Sequence, residues 1–411
     1  MRVMKILMGG YKEEYAQVWD YAGECMFQNP SSRVYVEVVE RPLPDLGPRF
    51  DRFYVCFDAC KRGFLAGCRR VIGLDGCFLK GLCKGELLAA VGRDANNQMF
   101  PIAWAVVKIE NKDIWSWFLK NLMADLEITD GGGWAFMSDQ QKGLIPALAE
   151  LMPHAEHRMC ARHIYANWSR NFKGERLQKQ FWQIAKSTNM ADFRLAKQGL
   201  LQLTKDGFDA LFHTEAKHWC RAFFSEDFKC DIIDDNLSEA FNGRILEARC
   251  KPIISMLDDI RVMVMTRLHR QRDEATKWSR DCGPRIVKRL DANIAASRFC
   301  HPVWNGDNRY EIIQNQDKYV VNLDRRKCSC RAWQLNGIPC VHAICAIQMK
   351  QENPDDYLHD WYKKSSYLAS YQFMMQPIRS SKFWEPTNHE SPLPLPLKKQ
   401  IGRPKKRRRM Q

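Results

Sequence analysis

The sequence predicts a mixed α/β protein: a strand-rich core, a long helical stretch, and a small ββα-like unit stapled by a metal. Three observations point there. Apolar strand-like runs gather between Val71 and Ser138, helical spacing dominates from 144 to 272, and Cys328 and Cys330 are answered a short loop later by Cys340 and His342.

The elements can be justified in order. Tyr11–Met26 has helical spacing, and Arg33–Val39 alternates like a strand before Pro42, Pro44 and Pro48 break the chain. Val71–Asp75 is a short buried-strand pattern. Leu87–Val91 and Met99–Val107 are two more, joined by Asp94-Ala-Asn-Asn97, which has hairpin-turn chemistry. Ile114–Leu126 carries Trp115, Trp117 and Phe118 at helical spacing, and Trp134–Ser138 reads as a fourth strand ending at Asp139. Three strands, a helix and a fourth strand is the order in which a ribonuclease-H-like fold begins. Residues 144–152, 161–221 and 237–272 read as helical, strands return near Tyr310, and the aromatic-rich segment up to Trp384 reads as ordered.

Composition narrows the function. Hydrophobic residues make up 45% and aromatics 11%, which suits a globular chain. No apolar run approaches the ~18–20 residues of a membrane helix, and the first ten residues are too briefly apolar for a secretory signal, so a soluble intracellular protein is expected. Net charge is +15, but eight of those cations lie between Lys398 and Gln411, leaving about +7 on the body. That balance permits nucleic-acid binding without requiring it. Twelve of the sixteen cysteines are scattered and read as packing thiols.

Three of the other four, Cys328, Cys330 and Cys340, form with His342 the pattern CxCx9CxH. Zinc takes four soft or borderline ligands in a tetrahedron, and two close pairs separated by a loop supply that geometry. Gly337 and Pro339 let the loop Arg331–Pro339 turn back, and a helix over Ala343–Met349 completes the unit. Cys328, Cys330, Cys340 and His342 are therefore the expected Zn2+ ligands. With Trp333 and Gly337-Ile-Pro-Cys340, the pattern also resembles the SWIM zinc finger.

Asp75 and Asp139 each end a strand pattern, and alone each reads better as a turn or helix-cap residue. Val71–Lys80, Ala95–Asn97, Ser138–Leu144 and Asp234–Asn242 together resemble, in order, the motifs of plant Mutator-like element (MULE) transposases. The resemblance implies a DDE core in which Asp75, Asp139 and Glu239 hold Mg2+ or Mn2+ for DNA strand cleavage and transfer. It also picks out Cys160-Ala-Arg-His163, the CxxH motif of this and related families. Cys160 and His163 there are open to metal binding, DNA contact or, more simply, packing. Transposases of this family usually carry a further N-terminal region with DNA-binding fingers, whereas this sequence starts close to the core. A relative acting as a nuclear zinc-finger factor for DNA or protein partners, without catalysis, is therefore the alternative expectation.

Ser391–Pro396 reads as a proline-rich linker, and Arg403, Lys405, Lys406, Arg407, Arg408 and Arg409 read as a nuclear import signal or an AT-hook-like minor-groove contact. The expected units are an N-terminal segment (1–50), the MULE domain (51–265), a helical connector (266–309), the SWIM finger (310–349), an ordered segment (350–390) and the linker with its tail (391–411).

Overall fold

The computed structural model describes residues 10–39, 41 and 47–397. The basic tail with its six named Lys and Arg residues, and Pro42 and Pro44, lie outside the described residues. A mixed seven-stranded sheet forms the centre, in the order β1 (Arg33–Val39), β2 (Arg49–Cys56), β5 (Met99–Val107), β4 (Glu86–Arg93), β3 (Arg69–Phe78), β6 (Ala135–Ser138), β7 (Glu156–Met159). The strands from β1 to β3 pair antiparallel, whereas β6 runs parallel to β3 and β7 parallel to β6.

Every residue of β5 and all but the last of β4 are buried, because helices cover both faces. Alternation sends Gly73 and Val91 to one face and Gly92 to the other. A Cβ on Gly73 would stand 2.5 Å from Asp235 Oδ1 at the start of the helix Asn236–Arg244, and one on Gly92 would meet Phe64 of the helix Asp58–Gly67 at 2.4 Å. Glycine at 73 is what lets Asn236–Arg244 approach β3. The helix Lys112–Leu126 is started by Asn111, whose side chain accepts the Ile114 amide.

One apolar core joins this sheet to the N-terminal helix Val18–Gln28, to the long helix Ile253–Thr276 and to Tyr367, Tyr371, Met375 and Leu395 near the C-terminal end. Ile253–Thr276 runs straight through the expected boundary at 265. The helical insertion, Ala161–Trp168 to Lys205–Phe212, has its own core around Trp168, Phe181 and Trp219. A four-stranded antiparallel sheet follows, of β8 (Cys300–Trp304), β9 (Arg309–Gln314), β10 (Asp317–Asn322) and β11 (Lys327–Cys328), with the helix Val341–Met349 packed on it.

Two expectations change. The proline-rich segment is no free linker: Leu393 exchanges backbone hydrogen bonds with Pro48 and Phe50, Lys84 N–H donates to Pro396 O, and Leu395 is buried. Extended proline-rich chain suits such an edge, since it needs few amide donors of its own. Of the twelve thiols expected to pack, Cys250 is exposed and Cys77 half-buried. Ala95–Asn97 has a structural role: Asn96 Oδ1 accepts the Arg285 amide and Asn97 O accepts Arg285 Nη1, docking the helix Pro284–Ser297, while Arg69 of β3 donates to Asn97 Oδ1. No helix among the described residues is long and apolar enough to cross a membrane.

Candidate functional site

The metal centre is built from short elements. Pairing of β11 with β10 delivers Cys328, and Cys330 follows two residues past the strand. A short helix, Ala332–Asn336, ends on Gly337 at φ 74°, a left-handed turn that glycine enters without strain. The chain returns at Cys340, the N-cap of Val341–Met349, and His342 lies in that helix's first turn. All four side chains are buried, and their ligand atoms lie within 4.8 Å of one another. Cys328 Sγ and Cys340 Sγ stand 3.6 and 4.0 Å from His342 Nδ1. Tetrahedral zinc, at about 2.3 Å to sulfur and 2.0 Å to nitrogen, sets its ligand atoms roughly 3.5–4 Å apart, so this donor set fits it.

The surroundings agree with that assignment of atoms. His342 Nε2 lies 2.8 Å from Gln314 Oε1, a pure acceptor, so Nε2 carries the proton and Nδ1 keeps its lone pair for the sulfurs' side. The Tyr319 ring stacks on the imidazole at 3.7 Å. Hydrogen bonds from Cys328 and Cys340 hold the Cys330 thiol well below the ordinary range. Four protein ligands leave no open position, which is the arrangement of a structural metal. Arg331 then ties the finger to the insertion. Its guanidinium donates to the carbonyls of Thr188, Arg221, Ala222 and Phe224 and to Glu226, while Thr188 Oγ1 donates to Cys330 O.

The second centre lies on the large sheet. Leu74 is opposite Ser138, and Ser138 opposite Met159, in the parallel pairs. Asp75, Asp139 and Cys160 therefore sit at one level on three adjacent strands, where β6 and β7 end. Neighbouring strands are about 4.8 Å apart, so the two aspartates come together although 64 residues separate them. Asp75 Oδ1 accepts its neighbour Gly76's amide and Oδ2 accepts Asn242 Nδ2 at 2.7 Å. Asp139 Oδ1 accepts the Gln141 amide at 2.8 Å. Burial and then the charge of Asp139 push the Asp75 carboxyl up to about 7.

Two more acids share this neighbourhood, and the sequence offered no spacing to single them out. The Glu110 carboxylate would lie 2.9–3.1 Å from a Cβ on Gly76. Trp115 Nε1 donates to its Oε1 at 2.9 Å, and burial, with Glu86 and Asp139 nearby, pushes it up to about 7. Asp235 caps Asn236–Arg244 through Ser238, and burial with Asp75 holds it well above the usual carboxylate range.

Glu239 stands differently. Its Oε2 pairs with Arg162 Nη1 at 2.6 Å, with the two side chains 41% and 46% exposed. Among the described residues, the zinc cluster is the group of three or more Cys, His, Asp or Glu whose ligand atoms converge; Asp75, Asp139 and Glu239 are not gathered that closely. The CxxH pair divides. Cys160 is buried and its sulfur accepts the Asp235 amide, whereas His163 faces Asp75 closely enough to stabilise its charge and has a buried Nδ1 with no hydrogen-bond partner.

Comparison with known proteins follows the same two centres. Residues 71–167 match the MULE transposase domain, a span holding Asp75, Asp139, Cys160 and His163. Residues 319–351 match the SWIM zinc finger, a span holding all four sulfur and nitrogen ligands. The chain is 20% identical over 368 residues to Protein FAR-RED IMPAIRED RESPONSE 1 of Arabidopsis thaliana; the alignment covers 76% of this chain and 43% of that protein. The chain thus spans less than half the length of that relative. The chain thus carries a MULE transposase domain followed by a SWIM zinc finger.

Proposed function

We propose that the protein is a zinc-binding, DNA-acting transposase relative whose ribonuclease-H-like core cleaves and transfers DNA strands with divalent metal. The run β5-β4-β3-β6-β7, antiparallel and then parallel, supports that fold. The observation that carries the activity is the juxtaposition of Asp75 and Asp139 on adjacent parallel strands. Their oxygen donors, with Glu110 alongside, suit Mg2+ or Mn2+. Bound there, such ions supply activation of the attacking oxygen and stabilisation of the leaving one. The chain's own part is to hold the carboxylates. Gly76 and Asn242 orient Asp75, Gln141 orients Asp139, and Glu239 is the third acid of the family's motif.

The second reading, a nuclear DNA- or protein-binding factor without catalysis, is favoured by one observation: Glu239 is engaged by Arg162 rather than by the aspartates. Both readings place the protein in the nucleus through the tail from Lys398.

The deciding assay is Mg2+- or Mn2+-dependent cleavage of DNA carrying the element's ends. The enzyme reading expects cleavage that Asp139→Asn abolishes. A wild-type protein that binds such DNA but never cuts it establishes the second reading.

A further inference from the structure

Beside the carboxylates lies a cavity of about 370 Å³ that neither centre uses. Arg162 lines it from Ala161–Trp168, Trp182 and Lys186 from one turn of Glu175–Lys186, and Ile232 and Ile233 with Asn236 from the segment leading to Glu239. Consecutive residues face two ways: Asp235 is buried within electrostatic reach of Asp75, while its neighbours Asp234 and Asn236 line the cavity. Tyr165 and Phe181 pack against the Trp182 ring at 5.8 and 5.1 Å, and Lys186 Nζ stands 5.5 Å from its centroid. Arg162 connects cavity and carboxylates, since Nη1 donates to Asn236 Oδ1 at 2.5 Å and to Glu239 Oε2 at 2.6 Å.

An aromatic face flanked by cations is how proteins hold a separated nucleic-acid strand: a base stacks on the ring and its phosphate meets the cations. An acidic peptide would use the cations and leave the indole and the isoleucines without a role. The volume falls in the range of small-ligand sites. We propose that this cavity receives one nucleotide of a DNA strand, its base on Trp182 and its phosphate on Lys186 and Arg162. The phosphate draws Arg162 off Glu239 and frees that carboxylate to turn toward Asp75 and Asp139. The second half rests on the reading above that Glu239 belongs with those aspartates; the first half does not.

Two measurements on the full zinc-loaded chain test this. Binding of a fluorescein-labelled single-stranded DNA is followed by anisotropy in EDTA, where no carboxylate chemistry intervenes. Stacking of one base contributes about 1–3 kcal/mol, so Trp182→Ala should weaken binding roughly 5- to 150-fold. Trp182→Phe should recover most of it, and duplex binding should change little. Mn2+ titration by calorimetry, without DNA, then reads the Arg162–Glu239 pair. An exposed pair of this kind is worth about 0.2–1 kcal/mol, so Arg162→Gln should bind Mn2+ up to about fivefold more tightly while binding single-stranded DNA less tightly. A merely structural arginine would weaken both. Equal DNA affinity of Trp182→Ala and wild type, or competition by polyglutamate as effective as by unlabelled DNA, overturns the nucleotide site. Unchanged Mn2+ affinity in Arg162→Gln overturns the release of Glu239 and leaves the nucleotide site standing. Mn2+ binding that survives Asp75→Asn with Asp139→Asn refutes the carboxylate reading itself.

Discussion

Replacing Arg331 with alanine removes the main polar tie between the zinc finger and the helical insertion. The guanidinium donates to four backbone carbonyls, of Thr188, Arg221, Ala222 and Phe224, and to the Glu226 carboxylate. Hydrogen bonds from a charged donor contribute about 1.5–3 kcal/mol each in favourable settings, but several on one side chain do not add. The side chain is 23% exposed, so water recovers part of the loss, and the Glu226 pair, 33% exposed on its acid, contributes at most about 1 kcal/mol. The residue's own backbone sits at φ 65°, a conformation held by its surroundings. A loss of about 3–5 kcal/mol follows. For a cooperative unit of about 200 residues this lowers Tm by roughly 6–15 °C. Thermal unfolding followed by tryptophan fluorescence, alongside zinc release to a chromophoric chelator, checks both sides of the contact. Arg331→Ala should unfold earlier and release zinc faster, with Arg331→Lys in between. An Arg331→Ala protein with unchanged Tm and unchanged release would refute the claim that this residue couples the two units.

The zinc centre itself predicts one bound zinc per chain. Cys340→Ser should lose it and unfold residues about 320–349, because metal binding supplies the folding free energy of such small units. Gln314→Leu, which removes the partner of His342 Nε2, should bind zinc about 10- to 100-fold more weakly, measured by competition with a chelator. At the other centre, Asp75 and Glu110 titrate near 7 in the folded chain and lower when unfolded. The stability they contribute is complete in acid and is lost as pH rises through about 7. Differential scanning fluorimetry from pH 5 to 8.5 should show Asp75→Asn gaining on wild type as pH rises, with Mn2+ closing the gap by stabilising wild type at pH 8. Parallel wild-type and Asp75→Asn curves would exclude Asp75 as the titrating group.

Much was legible in the chain. Buried strands such as Met99–Val107 announce themselves because both faces need apolar side chains, and the zinc ligands do so because one short loop must supply a whole tetrahedron. Strand β7, Glu-His-Arg-Met, did not, since its pattern is polar. Its Arg158 is buried only because it finds the Cys230 carbonyl and the Phe224 ring, supplied by a distant segment, and the Glu156 carboxylate of its own strand. Strand β2 was hidden similarly: its first half carries Asp51 and Arg52, and only pairing on both edges makes it central. The sequence by itself determined the finger and the order of the motifs, because those are properties of local spacing, and the resemblance of those motifs supplied the candidate acids. Which acids meet was decided by tertiary structure. Parallel register brings Asp75 beside Asp139, a glycine-packed strand admits Glu110, and an arginine from the insertion claims Glu239. Carboxylate chemistry depends on separations of a few ångströms between groups dozens of residues apart, and only the folded backbone sets those.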